Sequence, residues 1–164
     1  MKKIIDKIEI ALLWLMLIIL IASILAFIIG IKPLCVMTGS MEPNLPTGSL
    51  IFVDTNAAYD ELALKDVIVY KNEAKDFTIV HRVINITEEG IETKGDANKT
   101  SDGISTTEGN LIGRVIYFIP RLGSAIMFLR KPECLIIIIF CILSTLLSLL
   151  VPRREKEAEL EAEP

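Results

Sequence analysis

One hydroxyl, one imidazole and a pair of carboxylates stand out in this chain as groups that could do chemistry together. In Thr38-Gly39-Ser40-Met41-Glu42-Pro43 a serine follows a glycine, which allows a tight turn that exposes the hydroxyl. The proline that follows stiffens the loop. His81, in Thr78-Ile79-Val80-His81-Arg82-Val83-Ile84, is the only histidine of the chain. The run Lys94-Gly95-Asp96-Ala97-Asn98-Lys99-Thr100-Ser101-Asp102 offers two carboxylates, Asp96 and Asp102, with no apolar residue beyond Ala97. Each segment has a plain explanation by itself: a Gly-Ser turn, a histidine on a strand, a solvated turn with Asx-type hydrogen bonds. Together they supply what a serine nucleophile needs, a base within hydrogen-bond reach and a group to orient that base.

The elements that must position these groups are mostly strands. Short runs rich in Val, Ile, Phe and Tyr fall at 50–53, 67–70, 77–84 and 111–118. Turn residues separate them at 43–48, 71–76, 88–90 and 94–103. Within 77–84, alternation puts Ile79, His81 and Val83 on one face and Val80, Arg82 and Ile84 on the other. Helical periodicity is confined to 122–129. The pattern predicts a mainly β chain with a small antiparallel sheet or barrel, in preference to alternating βαβ units.

Hydrophobic residues make up 52% of the 164, concentrated at the two ends. Residues 10–31 carry no charge and are long enough to cross the hydrocarbon core of a bilayer; the stretch exceeds the apolar region of a cleaved leader and is expected to be an anchor. Residues 134–151 also lack charge and are expected to form a second span, because so small a domain could not bury a helix apolar all round. Lys2, Lys3 and Lys7 precede the first span, and Arg153, Arg154 and Lys156 follow the second. Lysine and arginine collect on the cytoplasmic side. The expected organisation is a cytoplasmic N-terminus (1–9), the anchor (10–31), an extracytoplasmic domain (32–133), the second span (134–151) and a cytoplasmic acidic tail (152–164). That tail dominates the net charge of −4. No basic patch with interleaved aromatics points to nucleic acid. Cys35, Cys134 and Cys141 form no CxxC and no Cys/His cluster, so unpaired thiols are expected and neither metal nor cofactor is.

The boxes Thr-Gly-Ser-Met-Glu-Pro, His-Arg-Val and Lys-Gly-Asp-Ala-Asn followed by a further Asp, in that order behind an anchor, resemble the type I signal peptidase family. The likeness runs from about residue 34 to 119, plus the anchor. His81-Arg82, where the commonest bacterial members have Lys-Arg, resembles the branch found in archaea, the endoplasmic reticulum and some spore-forming bacteria. The resemblance implies a small β-rich protease core with Ser40 as nucleophile, His81 as general base and Asp102 orienting the histidine. It implies that Asp96 supports the loop and that Thr38 contributes its hydroxyl to an oxyanion hole. It further implies exported preproteins with small residues at the cut site as substrates, a bilayer and nearby translocon as surroundings, and a multi-pass place in a cell membrane. Gly48-Ser49 stands where the family often has Gly-Asp, and the large β insertion of many bacterial members is missing. Two other readings compete: a self-cleaving repressor-type serine protease, disfavoured by the spans, and a membrane-anchored adaptor without catalysis, disfavoured by the intact Ser, His and Asp.

Overall fold

A computed structural model describes residues 2–72 and 76–150. The acidic tail expected over 152–164, and the last residue of the span expected over 134–151, lie outside the described residues. The chain begins with helix α1 (Lys2–Ile28) and continues into a seven-stranded antiparallel sheet. The strands are β1 (Ile31–Cys35), β2 (Leu50–Asp54), β3 (Val67–Asn72), β4 (Phe77–Thr87), β5 (Gly90–Lys94), β6 (Ile104–Thr106) and β7 (Leu111–Ile119). Their order across the sheet is β1-β2-β7-β3-β4-β5-β6. Helices α2 (Leu122–Leu129) and α3 (Pro132–Leu150) follow. Two compact units result, divided between Ser124 and Ala125.

Period-two alternation builds the sheet and gives it two apolar faces. On β3, Val69 joins Met41, Leu45, Ile51 and Val53 in one buried cluster, while its neighbours Ile68 and Tyr70 join Leu62, Val83 and Ile91 in the other. β3 is therefore buried on both sides, which is why it reads as an unbroken apolar run. The register opposes Ile68 to His81 and Tyr70 to Ile79, so His81 shares the face of the second cluster.

The four strand runs and the 122–129 helix of the sequence pattern are present as β2, β3, β4, β7 and α2. Three strands were not legible. β1 straddles the boundary expected between the anchor (10–31) and the outer domain (32–133): α1 stops at Ile28 and Ile31 already pairs with Asp54. Its Pro33 lies on a sheet edge, where a missing N–H costs little. β5 holds only one large apolar residue, Ile91, and β6 has three residues in all. β5 returns from β4 through a tight hairpin, with Thr87 opposite Gly90, and β6 pairs back onto β5, so neither strand carries an apolar run of its own.

The junction between helix and sheet is closed by hydrogen bonds. The Gly30 carbonyl accepts from Thr55 N (2.9 Å) and Thr55 Oγ1 (2.8 Å), and the Ile29 carbonyl accepts from Asn56 Nδ2 (2.9 Å). Residues just past β2 thus satisfy carbonyls that a helix end leaves open. Within α1, Ile10–Ile28 is one described helix long and apolar enough to cross a membrane, with a mean hydropathy of 3.0 and none of it buried against protein. In α3 the described apolar stretch is the shorter Pro132–Leu146. Cys35, Cys134 and Cys141 are free thiols.

Gly113 pins the centre of the sheet. Its φ of +157° is followed by a close approach: a Cβ there would sit 2.2 Å from the Asp54 carbonyl oxygen of the neighbouring strand. Gly113→Ala should therefore destabilise by about 2 kcal/mol or more, since main chain must move. Gly109, with open space around it, serves as the control. Thermal unfolding in detergent checks this: Gly109→Ala should melt with the wild type, and Gly113→Ala well below it.

Candidate active site

Ser40 lies in a short 3-10 turn, Gly39–Met41, that is pinned from beneath. Met41, 1% exposed, drives its side chain into the cluster of Ile51, Val53 and Val69. The Leu45 N–H returns to the Met41 carbonyl (2.9 Å) and Leu45 joins the same cluster. Val36 and Gly48 close the base of the loop through Val36 N to Ser49 O and Gly48 N to Val36 O, both 2.9 Å. Glu42 Oε1 accepts from the Thr47 hydroxyl (2.7 Å) and the Thr47 N–H (3.2 Å). The Thr47 hydroxyl, helped by that N–H, holds the Glu42 carboxyl below the usual carboxylate range. With the burial on one side and this carboxylate clasp on the other, Ser40 stays partly exposed at the turn.

His81 is 7% exposed, and its Nδ1 lies 2.5 Å from Asp102 Oδ2. An ionised carboxylate only accepts, so the proton of this bond sits on Nδ1, and in the neutral ring Nε2 then keeps its lone pair. Asp102 is thus the carboxylate that meets the histidine. Asp96 goes elsewhere. Its Oδ1 accepts from Arg82 Nε (2.8 Å), and its Oδ2 from Arg82 Nη2 (2.6 Å) and Asn44 Nδ2 (2.9 Å). Arg82 Nη1 reaches on to the Lys65 carbonyl (2.8 Å). Arg82 holds the Asp96 carboxyl below its usual range against the opposing effect of burial, and Asn44 adds to this; the same bond raises the Arg82 guanidinium further. The fork-on-fork pair ties together β4, the loop after β5 and the loop after Ser40.

Gly95 brings serine and histidine into register. A Cβ on it would lie 2.6 Å from the Ser40 carbonyl oxygen, 2.8 Å from Asn98 Nδ2 and 2.9 Å from His81 Nε2. Those three atoms surround one small space that only a glycine leaves open. Next to it, Ala97 N–H donates to the Ser40 carbonyl (2.9 Å). Ser40, His81, Thr38 and Asn98 line one cavity of about 660 Å³, whose apolar wall includes Val36, Met37, Phe77 and Val80. Thr38 precedes the 3-10 turn in extended conformation and its hydroxyl does not cap it.

Of the sequence-derived residues, the structure gathers Ser40, His81 and Thr38 around one cavity, joins Asp102 to His81 and gives Asp96 to Arg82. Sequence reasoning missed Gly95, Asn44, Arg82 and the hydroxyls of Tyr70, Thr93 and Ser105 that lie behind Asp102. Arg82 carried a usable signal, since a charged residue beside a buried histidine must find a partner across the strand. Among the described residues no group of three or more His, Cys, Asp and Glu converges to hold a metal ion.

Comparison with known proteins places this geometry in context. The family described as signal peptidase, peptidase S26, matches residues 8–103. The signal peptidase complex catalytic subunit SEC11C of Homo sapiens is 36% identical over 100 residues, 54% of this chain and 52% of its own. The corresponding sec11 subunit of Neurospora crassa is 32% identical over 107 residues, 58% and 62% of the two chains. Signal peptidase I W of Bacillus subtilis is 38% identical over 80 residues, 46% and 42%. The chain spans about half the length of the curated relatives it matches.

The Arg82–Asp96 pair makes a prediction about acid stability. The folded chain binds a proton at Asp96 less readily than the unfolded chain does, so the pair stabilises fully above the ordinary carboxylate range, near pH 4, and its contribution is lost as pH falls through the lowered value. With side chains only 27% and 11% exposed, loss of the charge in Asp96→Asn should cost about 2 kcal/mol at pH 7. Melting curves from pH 7 to pH 2.5 should show wild type and variant converging below about pH 4. A gap unchanged by acid would remove the pair from the stability of the fold.

Proposed function

Because the chain belongs to the signal peptidase family, peptidase S26, we propose that it is a membrane-bound serine endopeptidase that removes N-terminal signal peptides from exported preproteins. The observation that carries the reading is His81, with Nδ1 on Asp102 Oδ2 at 2.5 Å and Nε2 beside Gly95 and the Ser40 main chain. In this reading Ser40 Oγ attacks the scissile carbonyl carbon as His81 Nε2 takes its proton. Asp102 stabilises the imidazolium that forms and keeps the ring in the tautomer that can accept. The Ser40 N–H and the Thr38 hydroxyl bind the oxyanion, each such donor contributing about 3 kcal/mol to the barrier. The C–N bond then breaks, the leaving amine takes the proton from His81, and water, activated by the same imidazole, releases the acyl group. Asp96 serves the loop through Arg82 and Asn44. Met37, Phe77 and Val80 beside Ser40 suit small apolar residues at the cut.

The membrane arrangement belongs to the same proposal. Residues 10–31 contain the anchor and 134–151 a second span, the domain over 32–133 faces outward, and residues 1–9 and the tail over 152–164 lie in the cytoplasm. A signal peptide's apolar segment would lie in the same bilayer, near the translocon, and meet Ser40 without a search through solution. The basic residues at both ends support this orientation, and the second span favours a cell membrane.

Cleavage of a preprotein in detergent tests the chemistry. Ser40→Ala and His81→Ala should each lower kcat about 10³-fold or more with insertion unchanged, and Thr38→Val about 10²-fold. Asp102→Ala should cost more activity than Asp96→Ala. Gly95→Ala, which forces Ser40 and His81 apart, should lower kcat more than KM changes. The wild-type rate should fall in mild acid, because only a neutral imidazole accepts a proton. His81→Lys should not restore it, since Asp102 would keep the amine charged. Full activity of Ser40→Ala, or a rate indifferent to acid, would remove these residues from the mechanism. For the topology, protease added to spheroplasts should cut the middle domain and spare a tag on Pro164; loss of the tag would refute the second span or the orientation.

A further inference from the structure

Behind Asp102 lies a set of hydroxyls that the proposed reaction does not use. Thr93, 0% exposed, is at its centre. Its Oγ1 is 2.7 Å from Asp102 Oδ2, 2.7 Å from Ser105 Oγ and 3.1 Å from Tyr70 Oη. A threonine hydroxyl has one proton and two lone pairs. The ionised carboxylate can only accept, so the Thr93 proton goes to Asp102. Both remaining contacts must then be donated to Thr93, by Ser105 and by Tyr70. Burial raises the Tyr70 phenol, which keeps its proton available. Tyr70 Oη also lies 3.4 Å from Asp102 Oδ2, a longer contact than its bond to Thr93. Every proton in the network therefore points toward the same carboxylate oxygen that receives His81 Nδ1–H. The main chain repeats the hold, because Asp102 N–H donates to the Thr93 carbonyl at 2.8 Å. Thr93 grips Asp102 at two points across the loop that carries Gly95, Asp96, Ala97 and Asn98.

We propose that Thr93 is a positioning residue for the reaction: its hydroxyl, fed by Tyr70 and Ser105, fixes and stabilises the Asp102 carboxylate, and through it the Nδ1–H tautomer of His81. The proposal rests on the assignment of His81 as general base. Low local dielectric strengthens such a chain of aligned hydroxyls. Valine in place of Thr93 would take its acceptor from the Ser105 proton, leave Tyr70 with only the longer contact to Asp102 Oδ2, and take one donor from Asp102.

The chain has a single histidine, so ring 15N labelling of histidine reports His81 alone. In the full-length protein in detergent, at a pH alkaline enough for the ring to be neutral, the wild type should show Nδ1 protonated and Nε2 bare. Thr93→Val should give a mixture of tautomers, and Thr93→Ala, which adds no methyl to the buried site, the same mixture should valine prevent folding. In preprotein cleavage the hydroxyl-lacking variants should lose about tenfold or more in kcat with KM within about twofold. Thr93→Ser should restore both spectrum and kcat. An unshifted tautomer in the variants lacking the hydroxyl, or a serine variant as impaired as valine, would overturn the proposal. Should the wild type fail to cleave preproteins, the peptidase reading falls while the ring spectrum still decides the role of Thr93.

Discussion

Which nitrogen an imidazole offers to a reaction is set by how its other nitrogen is held, and in this chain the hold is one carboxylate oxygen, Asp102 Oδ2. The demands of that bond run outward through the fold. β4 must present His81 on the face it shares with Ile68 and Tyr70, which the register with β3 secures. The loop after β5 must bring Asp102 back to the start of its own excursion, which the Asp102 N–H bond to the Thr93 carbonyl secures. The same loop must then touch the Ser40 turn, which Gly95 and the Ala97 N–H allow. One loop thus orients the histidine and sets its distance from the serine.

The neighbouring Arg82 poses an electrostatic problem that this loop also solves. A guanidinium one residue from a histidine that must become charged in the proposed reaction would oppose that charge. Alternation along β4 turns Arg82 to the opposite face, and Asp96 meets it there with both carboxylate oxygens. The two carboxylates therefore divide their work by strand face: Asp102 on the histidine side, Asp96 on the arginine side. A protein with only one of them would either leave Arg82 uncompensated or leave His81 without its orienting partner.

How much of this was legible in the sequence follows from how local each feature is. Ser40 stood out because Gly-Ser-Met-Glu-Pro is a contiguous box, and His81 because it is the only histidine. β2, β3, β4 and β7 announced themselves by runs of β-branched and aromatic residues. β1, β5 and β6 did not, since a Lys-Pro edge strand, a strand with one isoleucine and a three-residue strand carry no apolar run of their own. Thr93 and Gly95 were invisible too. Nothing in Glu-Thr-Lys-Gly-Asp says that its threonine will meet Tyr70 or that its glycine will face Ser40; only the pairing of β4 with β5 makes those contacts. The apolar N-terminal helix was legible as composition, while its end at Ile28 was not, because Ile29 and Ile31 are as apolar as the helix before them.

That end has a mechanical meaning. Between the last helical hydrogen bond at Ile29 and the first strand pair at Ile31 there is no length of free chain, and Thr55 and Asn56 grasp the two carbonyls at the joint. The sheet is bracketed to the helix instead of tethered to it. A tethered blade would sweep a volume and cut whatever entered it. In the proposed setting a bracketed one would work at a set standoff from the lipid, with Ser40 fixed to the sheet that the bracket carries. In the proposed setting, a preprotein would then be measured as well as recognised: the number of residues between the end of its buried segment and its cut site becomes a selection rule, independent of which side chains fill the cavity.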